Sequence, residues 1–163
     1  MVTISGIRHG AIEGVVASKA TFYHHAAERT VNPIGKRVFL SVMESEKKHL
    51  RDLRAILKEG HTAHCSVYPA SKIRVFLKKI SVIKDDTEAL KIAMEMEKES
   101  IELYGKLSKQ VRTGKEKAFF QNLLSEEQQR YAELSDICLF LSDSCSWFMW
   151  EECSMMDGGT SWA

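Results

Sequence analysis

A chain of 163 residues is long enough for one domain with a full-sized core, and 44% apolar with 28% charged content is ordinary for a soluble globular protein. With 23 basic against 22 acidic residues there is no electrostatic case for nucleic acid, and no apolar run is long enough to span a bilayer. The opening MVTISGIRHG lacks the basic and apolar regions of a secretory signal. The four cysteines (65, 138, 145 and 153) lack CxxC spacing, so neither a zinc knuckle nor a rubredoxin module is expected, and a cytoplasmic chain with reduced thiols is.

The first helix is expected over about 7–30, with Ile12, Val16, Tyr23, Ala26 and Ala27 as its inner face. Asn32-Pro33 ends it and starts the next, Asn as N-cap and Pro at the first helical position. The second helix is expected over about 33–59, with Gly60 as its C-terminal stop. Val38, Phe39, Val42, Met43, Leu50, Leu53, Ile56 and Leu57 form its apolar stripe. Residues 60–85 make a connection long enough to need a reason, and a crossover running back along a bundle supplies one. The basic–apolar stretch KIRVFLKKISVIK within it reads as a solvated amphipathic connector.

Asp85-Asp86-Thr87-Glu88 places acidic groups at the positive end of a third helix, over about 86–112, that buries Leu90, Ala93, Met94, Ile101, Tyr104 and Leu107. Gly114 marks a turn, and a fourth helix follows over about 115–141. The tail, 142–163, holds all three tryptophans, which are expected to cap the bundle end or pack in a dimer interface.

Charged residues interrupt these stripes. Glu46 and His49, three apart, share one helical face and belong by position to the buried side. A buried carboxylate and imidazole must be paired, hydrogen-bonded or metal-bound. The pattern returns 81 residues downstream (46 to 127), where Phe119, Phe120, Leu123, Leu124, Tyr131, Leu134, Ile137 and Cys138 repeat the stripe. Glu127 takes the slot of Glu46, Arg130 that of His49, and the same offset carries Tyr23 onto Tyr104. Glu97 sits inside the third stripe, and its counterpart in the first helix is Val16. His24, His25, His61 and His64 fall outside the inward slots and read as surface residues.

The segments EKKH (46–49), AMEMEKESIELY (93–104) and FFQNLLSEEQQR (119–130), with the WF…DGG ending, resemble the rubrerythrin branch of the ferritin-like superfamily over about residues 7–159. The resemblance implies an all-α fold: a ferritin-like four-helix bundle of two helical hairpins joined by the long crossover, with 1–163 as one domain. It also implies a homodimer and a di-iron centre that handles peroxide or oxygen with electrons from an external donor, while the charge balance and the short apolar runs lead to the expectation of no nucleic-acid or membrane partner. The metal ligands carried over are Glu46, His49, Glu97 and Glu127, with Tyr23 and Tyr104 behind them. A complete di-iron carboxylate bundle has a Glu from each of two helices and Glu-x-x-His from each of the other two. Here Val16 and Arg130 stand at the remaining two positions, and no rubredoxin iron site is appended.

Three glutamates facing one divalent ion and the Arg130 guanidinium balance in charge. His49, Glu46 and Glu127 plus water would then hold one iron or zinc, while Arg130 forks onto Glu97 and Glu127 in place of a second ion. A metal-free network of Arg130, Glu97 and Glu127 with protonated His49 on Glu46 satisfies the same residues. The third reading, a working two-metal oxidoreductase, needs another carboxylate, and Glu13, one turn before Val16, is the residue available to supply it. The expectation is therefore a rubrerythrin-type protein with an eroded di-iron site, at most one iron or zinc ion, and uncertain enzymatic activity.

Overall fold

The computed structural model describes residues 4–58, 78, 83–111 and 113–142. They form four long helices: α1 (Ile4–Arg29), α2 (Pro33–Lys58), α3 (Asp86–Gln110) and α4 (Gly114–Ser142). No strand occurs among the described residues. Three-residue links join α1 to α2 and α3 to α4, so each pair is an antiparallel hairpin, and packing is closest within the hairpins. The stop at Gly60, most of the crossover and the tail beyond Ser142 lie outside the described residues.

Local chemistry sets each helix start. Asn32 caps α2, its Oδ1 accepting from the backbone N–H of Ile34 at 2.8 Å and of Gly35 at 3.3 Å. Asp85 caps α3 from an extended backbone, its Oδ1 accepting from Glu88 N at 2.8 Å. At α4 the cap is Thr113. Its Oγ1 accepts from Glu116 N at 3.2 Å, and its own N–H donates to Glu116 Oε2 at 3.2 Å, a reciprocal capping box. This Thr-x-x-Glu pattern starts the helix at Gly114, the residue expected to mark the turn. Asp86 ties the hairpins together at this level, accepting from the Thr30 hydroxyl and, at 3.0 Å, from Asn32 N.

Two apolar clusters fill the bundle. One gathers Phe22, Tyr23, Phe39, Met43, Leu90, Met96 and Leu134 with their neighbours. The other gathers Ile12, Val16, Leu53, Tyr104, Leu107, Phe120 and Leu123. Met94 and Ile101, expected in the core, are only half-buried, because the inner face of α3 runs instead through Ala89, Ile92, Met96 and Leu103. Buried charges lie at the level between the clusters. Lys19, Glu46, His49, Glu97, Glu127 and Arg130 are each at most 7% exposed. Bulk water therefore does not screen them, and the packing around them fixes their geometry.

Candidate functional site

Every helix contributes to this charged layer. Lys19 comes from α1, Glu46 and His49 from α2, Glu97 from α3, and Glu127 and Arg130 from α4. The Lys19 ammonium is central. Its Nζ lies 3.0 Å from Glu46 Oε1, 2.8 Å from Glu97 Oε2 and 2.5 Å from Glu127 Oε2. The ammonium thus donates hydrogen bonds to Glu97 and Glu127 and pairs by charge with Glu46, on three different helices. Burial works against the charge on Lys19, but Glu127, Glu46 and Glu97 outweigh it and hold the ammonium well above its ordinary range.

Arg130 supplies the second fixed cation. Its Nη1 donates to Glu46 Oε1 and, at 3.2 Å, to Glu127 Oε1, while its Nη2 donates to Ser45 Oγ at 2.7 Å. Glu97 is 3.8 Å from Nη1, too far for a hydrogen bond. The expected fork onto Glu97 and Glu127 is therefore replaced by one onto Glu46 and Glu127. The reason is local: Lys19 and Tyr23 already occupy Glu97. The Tyr23 hydroxyl donates to Glu97 Oε1, and Lys19 takes Oε2.

His49 links the layer to the surface. Its Nε2 is 2.6 Å from Oε2 of the half-exposed Glu126. Its Nδ1 faces inward, 3.4 Å from Glu127 Oε1 and 3.8 Å from Glu46 Oε1. Burial pulls the imidazole pKa down, but the carboxylates of Glu127, Glu46 and Glu126 around the ring prevail and push it up to about 10. His49 is accordingly an imidazolium near neutral pH. Burial pushes Glu127 up too, yet the positive charges of Lys19, His49 and Arg130 beside it hold it well below the usual carboxylate range. Burial drives Glu97 the other way, well above that range, against the pull of Lys19. With both Tyr23 and Lys19 donating to it, Glu97 fills the acceptor role of a carboxylate.

Two cations per site are what a di-metal centre would supply, and here side chains supply them. Three glutamates face Lys19, Arg130 and protonated His49, so the charges cancel without any ion. The sequence-based balance, which left room for one divalent ion, omitted Lys19. With Lys19 counted, a divalent ion would over-compensate the cluster. A pair of metal ions does not fit these residues. The ammonium sits among the carboxylate oxygens that would bridge them, and the Arg130 guanidinium bonds to two of the same three carboxylates.

A narrower grouping remains. Glu46, His49 and Glu127 each present a ligand atom within 4.8 Å of the others, a set that could hold one metal ion. Glu46 Oε2 and His49 Nδ1 have no hydrogen-bond partner among the described residues, and neither do the buried hydroxyls of Ser100 and Tyr104.

Of the residues singled out in the sequence, Glu46, His49, Glu97, Glu127 and Arg130 meet in this layer, with Tyr23 directly on Glu97. Val16 is fully buried in the adjoining apolar cluster, and so is Tyr104, whose hydroxyl is unpartnered. Glu13 does not turn inward; it pairs with Arg54 at 3.0 Å on the surface. His24 and His25 pair with Glu28 outside the core, and His61 and His64 lie outside the described residues. Sequence reasoning missed Lys19. Its signal was spacing: Lys19 follows Val16 by three residues and precedes Tyr23 by four, so it lies on the inner stripe of α1.

No helix among the described residues is long and apolar enough to cross a membrane. No curated protein and no solved structure matches the chain. The family model described as rubrerythrin matches residues 17–137, which is most of the sequence and spans all six members of the charged layer. The four-helix architecture and that match agree, and the chain belongs to the rubrerythrin family.

Proposed function

We propose that this chain is a rubrerythrin-type bundle that has exchanged the di-iron centre for a fixed network of charged side chains. On this reading it does not turn over peroxide or oxygen, needs no external electron donor, and serves as a structural or partner-binding module, working as a homodimer in the cytoplasm. One observation carries it: an ammonium on α1 lies within 3.0 Å of a carboxylate from each of the other three helices. Removing two charges from water into a protein interior is costly, and such a cluster persists only when every member is matched. Lys19, Arg130 and His49 supply that charge, and Lys19 alone occupies one oxygen of each of the three glutamates.

The alternative of a single iron or zinc ion draws support from the Glu46–His49–Glu127 grouping and from Glu126. A metal-bound imidazole characteristically donates its other N–H to a carboxylate, the position Glu126 takes.

The two readings part in one assay. Protein exposed anaerobically to Fe²⁺ and desalted is mixed with hydrogen peroxide, and peroxide loss and iron oxidation are followed spectrophotometrically. The network reading expects turnover no faster than that of the same iron free in buffer. Peroxide consumption that depends on bound iron and disappears in His49→Ala would sink it. Sedimentation velocity tests the dimer, a single monomeric species being the contrary result.

A further inference from the structure

The proposed network leaves open which residue makes the centre reject metal. We infer that Lys19 is the determinant: its ammonium is a tethered cation that occupies a divalent-cation site, and shortening this one side chain opens that site to a divalent ion. The inference rests on the network reading but reaches past it, because it assigns an ion-binding capacity to residues that keep it masked.

The geometry is specific to Lys19. Its Nζ touches Glu46 Oε1, Glu97 Oε2 and Glu127 Oε2, so one point in the core is already ringed by three carboxylate oxygens from three helices. Arg130 is different. It approaches from α4, bonds Glu46 Oε1 and Glu127 Oε1 through Nη1, and at 3.8 Å from Glu97 Oε2 reaches only two of the three carboxylates. Lys19 is 2% exposed, and its backbone lies on α1 between Val16 and Tyr23, both fully buried. Cutting it back to alanine removes the ammonium and the three methylenes beyond Cβ, while the three acceptors stay on other helices. Glu97 remains fixed by the Tyr23 hydroxyl and Glu127 by Arg130.

What remains is an all-oxygen pocket with one negative charge in excess. Hard divalent ions such as Mn²⁺ take carboxylate ligands of this kind, whereas a soft, thiolate-preferring ion has nothing to bind. The competitor for the vacated position is a proton on one of the carboxylates, and the experiment distinguishes the two.

Wild type, Lys19→Ala and Lys19→Met are equilibrated with Mn²⁺. Bound metal per chain is read by mass spectrometry after dialysis and by loss of the six-line electron paramagnetic resonance signal of the free ion. Helicity and melting are followed by circular dichroism in parallel. Wild type is expected to hold less than about a tenth of an equivalent and Lys19→Ala about one, with a rise in melting temperature on adding Mn²⁺. Lys19→Met, which keeps the bulk and loses the charge, is expected to hold none. Adding Glu97→Gln to Lys19→Ala is expected to weaken binding at least about tenfold.

A helical Lys19→Ala protein that binds no Mn²⁺ overturns the inference, since a proton has then made good the charge. If Lys19→Ala is unfolded in chelator, recovery of its helical signal with Mn²⁺ supports the inference and failure to recover overturns it. Wild type that takes up a full equivalent also overturns it, yet the peroxide assay could still show no turnover, so the two readings fail separately.

Discussion

Arg130→Met tests whether the charged layer is matched as described. The guanidinium is 7% exposed and bonds to Glu46, to Glu127 at 3.2 Å and to Ser45 at 2.7 Å. Methionine fills similar volume without charge, so three carboxylates would face only Lys19 and His49. Removing one partner of a buried ion pair costs about 3–5 kcal/mol, because the other is left uncompensated. At about 2–4 °C per kcal/mol for a chain of this size, the melting temperature should fall by about 6–20 °C. A surface arginine would move it by about 1–2 °C. Adding Glu46→Gln removes one carboxylate charge and restores the balance, so the double variant should be more stable than Arg130→Met alone. Urea unfolding followed at 222 nm gives the cycle, and the coupling energy should exceed about 1 kcal/mol. A single-variant loss below about 1 kcal/mol, or strictly additive losses, would refute the idea that Arg130 neutralises Glu46 in the core.

The two inner tyrosines should behave differently. Tyr23→Phe removes a hydroxyl that donates to Glu97 and should cost about 1.5–3 kcal/mol, whereas Tyr104→Phe removes one without a partner among the described residues and should change stability by less than about 0.5 kcal/mol in denaturant titration. Thr113→Ala loses the α4 cap and should cost about 1 kcal/mol, recovered in part by Thr113→Asp. Stability should also depend on pH with a definite sign. His49 binds its proton more tightly folded, with a pKa of about 10 against 6.5, so its contribution is complete below pH 6.5 and is lost as pH rises through 10, with a slope of at most about 1.4 kcal/mol per unit. Glu127 is depressed, so its contribution is present above the ordinary carboxylate pKa and fades as pH falls below it. In His49→Gln the alkaline slope between pH 7 and 10 should flatten; an unchanged slope would remove His49 from the network.

Much of the site was legible because charge on an apolar stripe is anomalous. Glu46, His49, Glu97, Glu127 and Arg130 stand where the helical period demands core residues, and all of them are found there. Lys19 stands on the same kind of stripe but was passed over, since a lysine ordinarily carries its charge to the surface on a long apolar stem. Spacing could place it inward; only the positions of Glu46, Glu97 and Glu127 on other helices could show that its charge stays inside. The partner chosen by Arg130 was illegible for a similar reason. A one-dimensional pattern tells which face a guanidinium leaves from, but not which of three nearby carboxylates has an oxygen still free. The capping box at Thr113 and Glu116 is written in full in the sequence, but the glycine between them carries a turn signal of its own.

The unpartnered atoms are consistent with the proposed exchange. Tyr23 donates across the bundle to Glu97. The 81-residue offset carries that pair onto Tyr104 and Val16, and Val16 has no oxygen to accept, so the Tyr104 hydroxyl is left without a partner among the described residues. The same offset carries Lys19 onto Ser100, whose hydroxyl is likewise unpartnered. It also relates the bond from Arg130 to Ser45 with the contact of His49 and Glu126. On the repeat read from the sequence, the two sides of the charged layer share a plan and differ in how fully it is satisfied. Around Lys19, Glu97 and Tyr23 every donor meets an acceptor. Around Val16, Ser100 and Tyr104, a carboxylate is missing and its hydrogen-bond donors are idle. Substituting Val16 alone would give Tyr104 its acceptor but would add a fourth negative charge to a balanced set. On the proposed reading, restoring a two-metal centre, as opposed to a single ion, requires removing Lys19 as well as replacing Val16 and Arg130, because each fixed cation holds its charge whether or not an ion is offered.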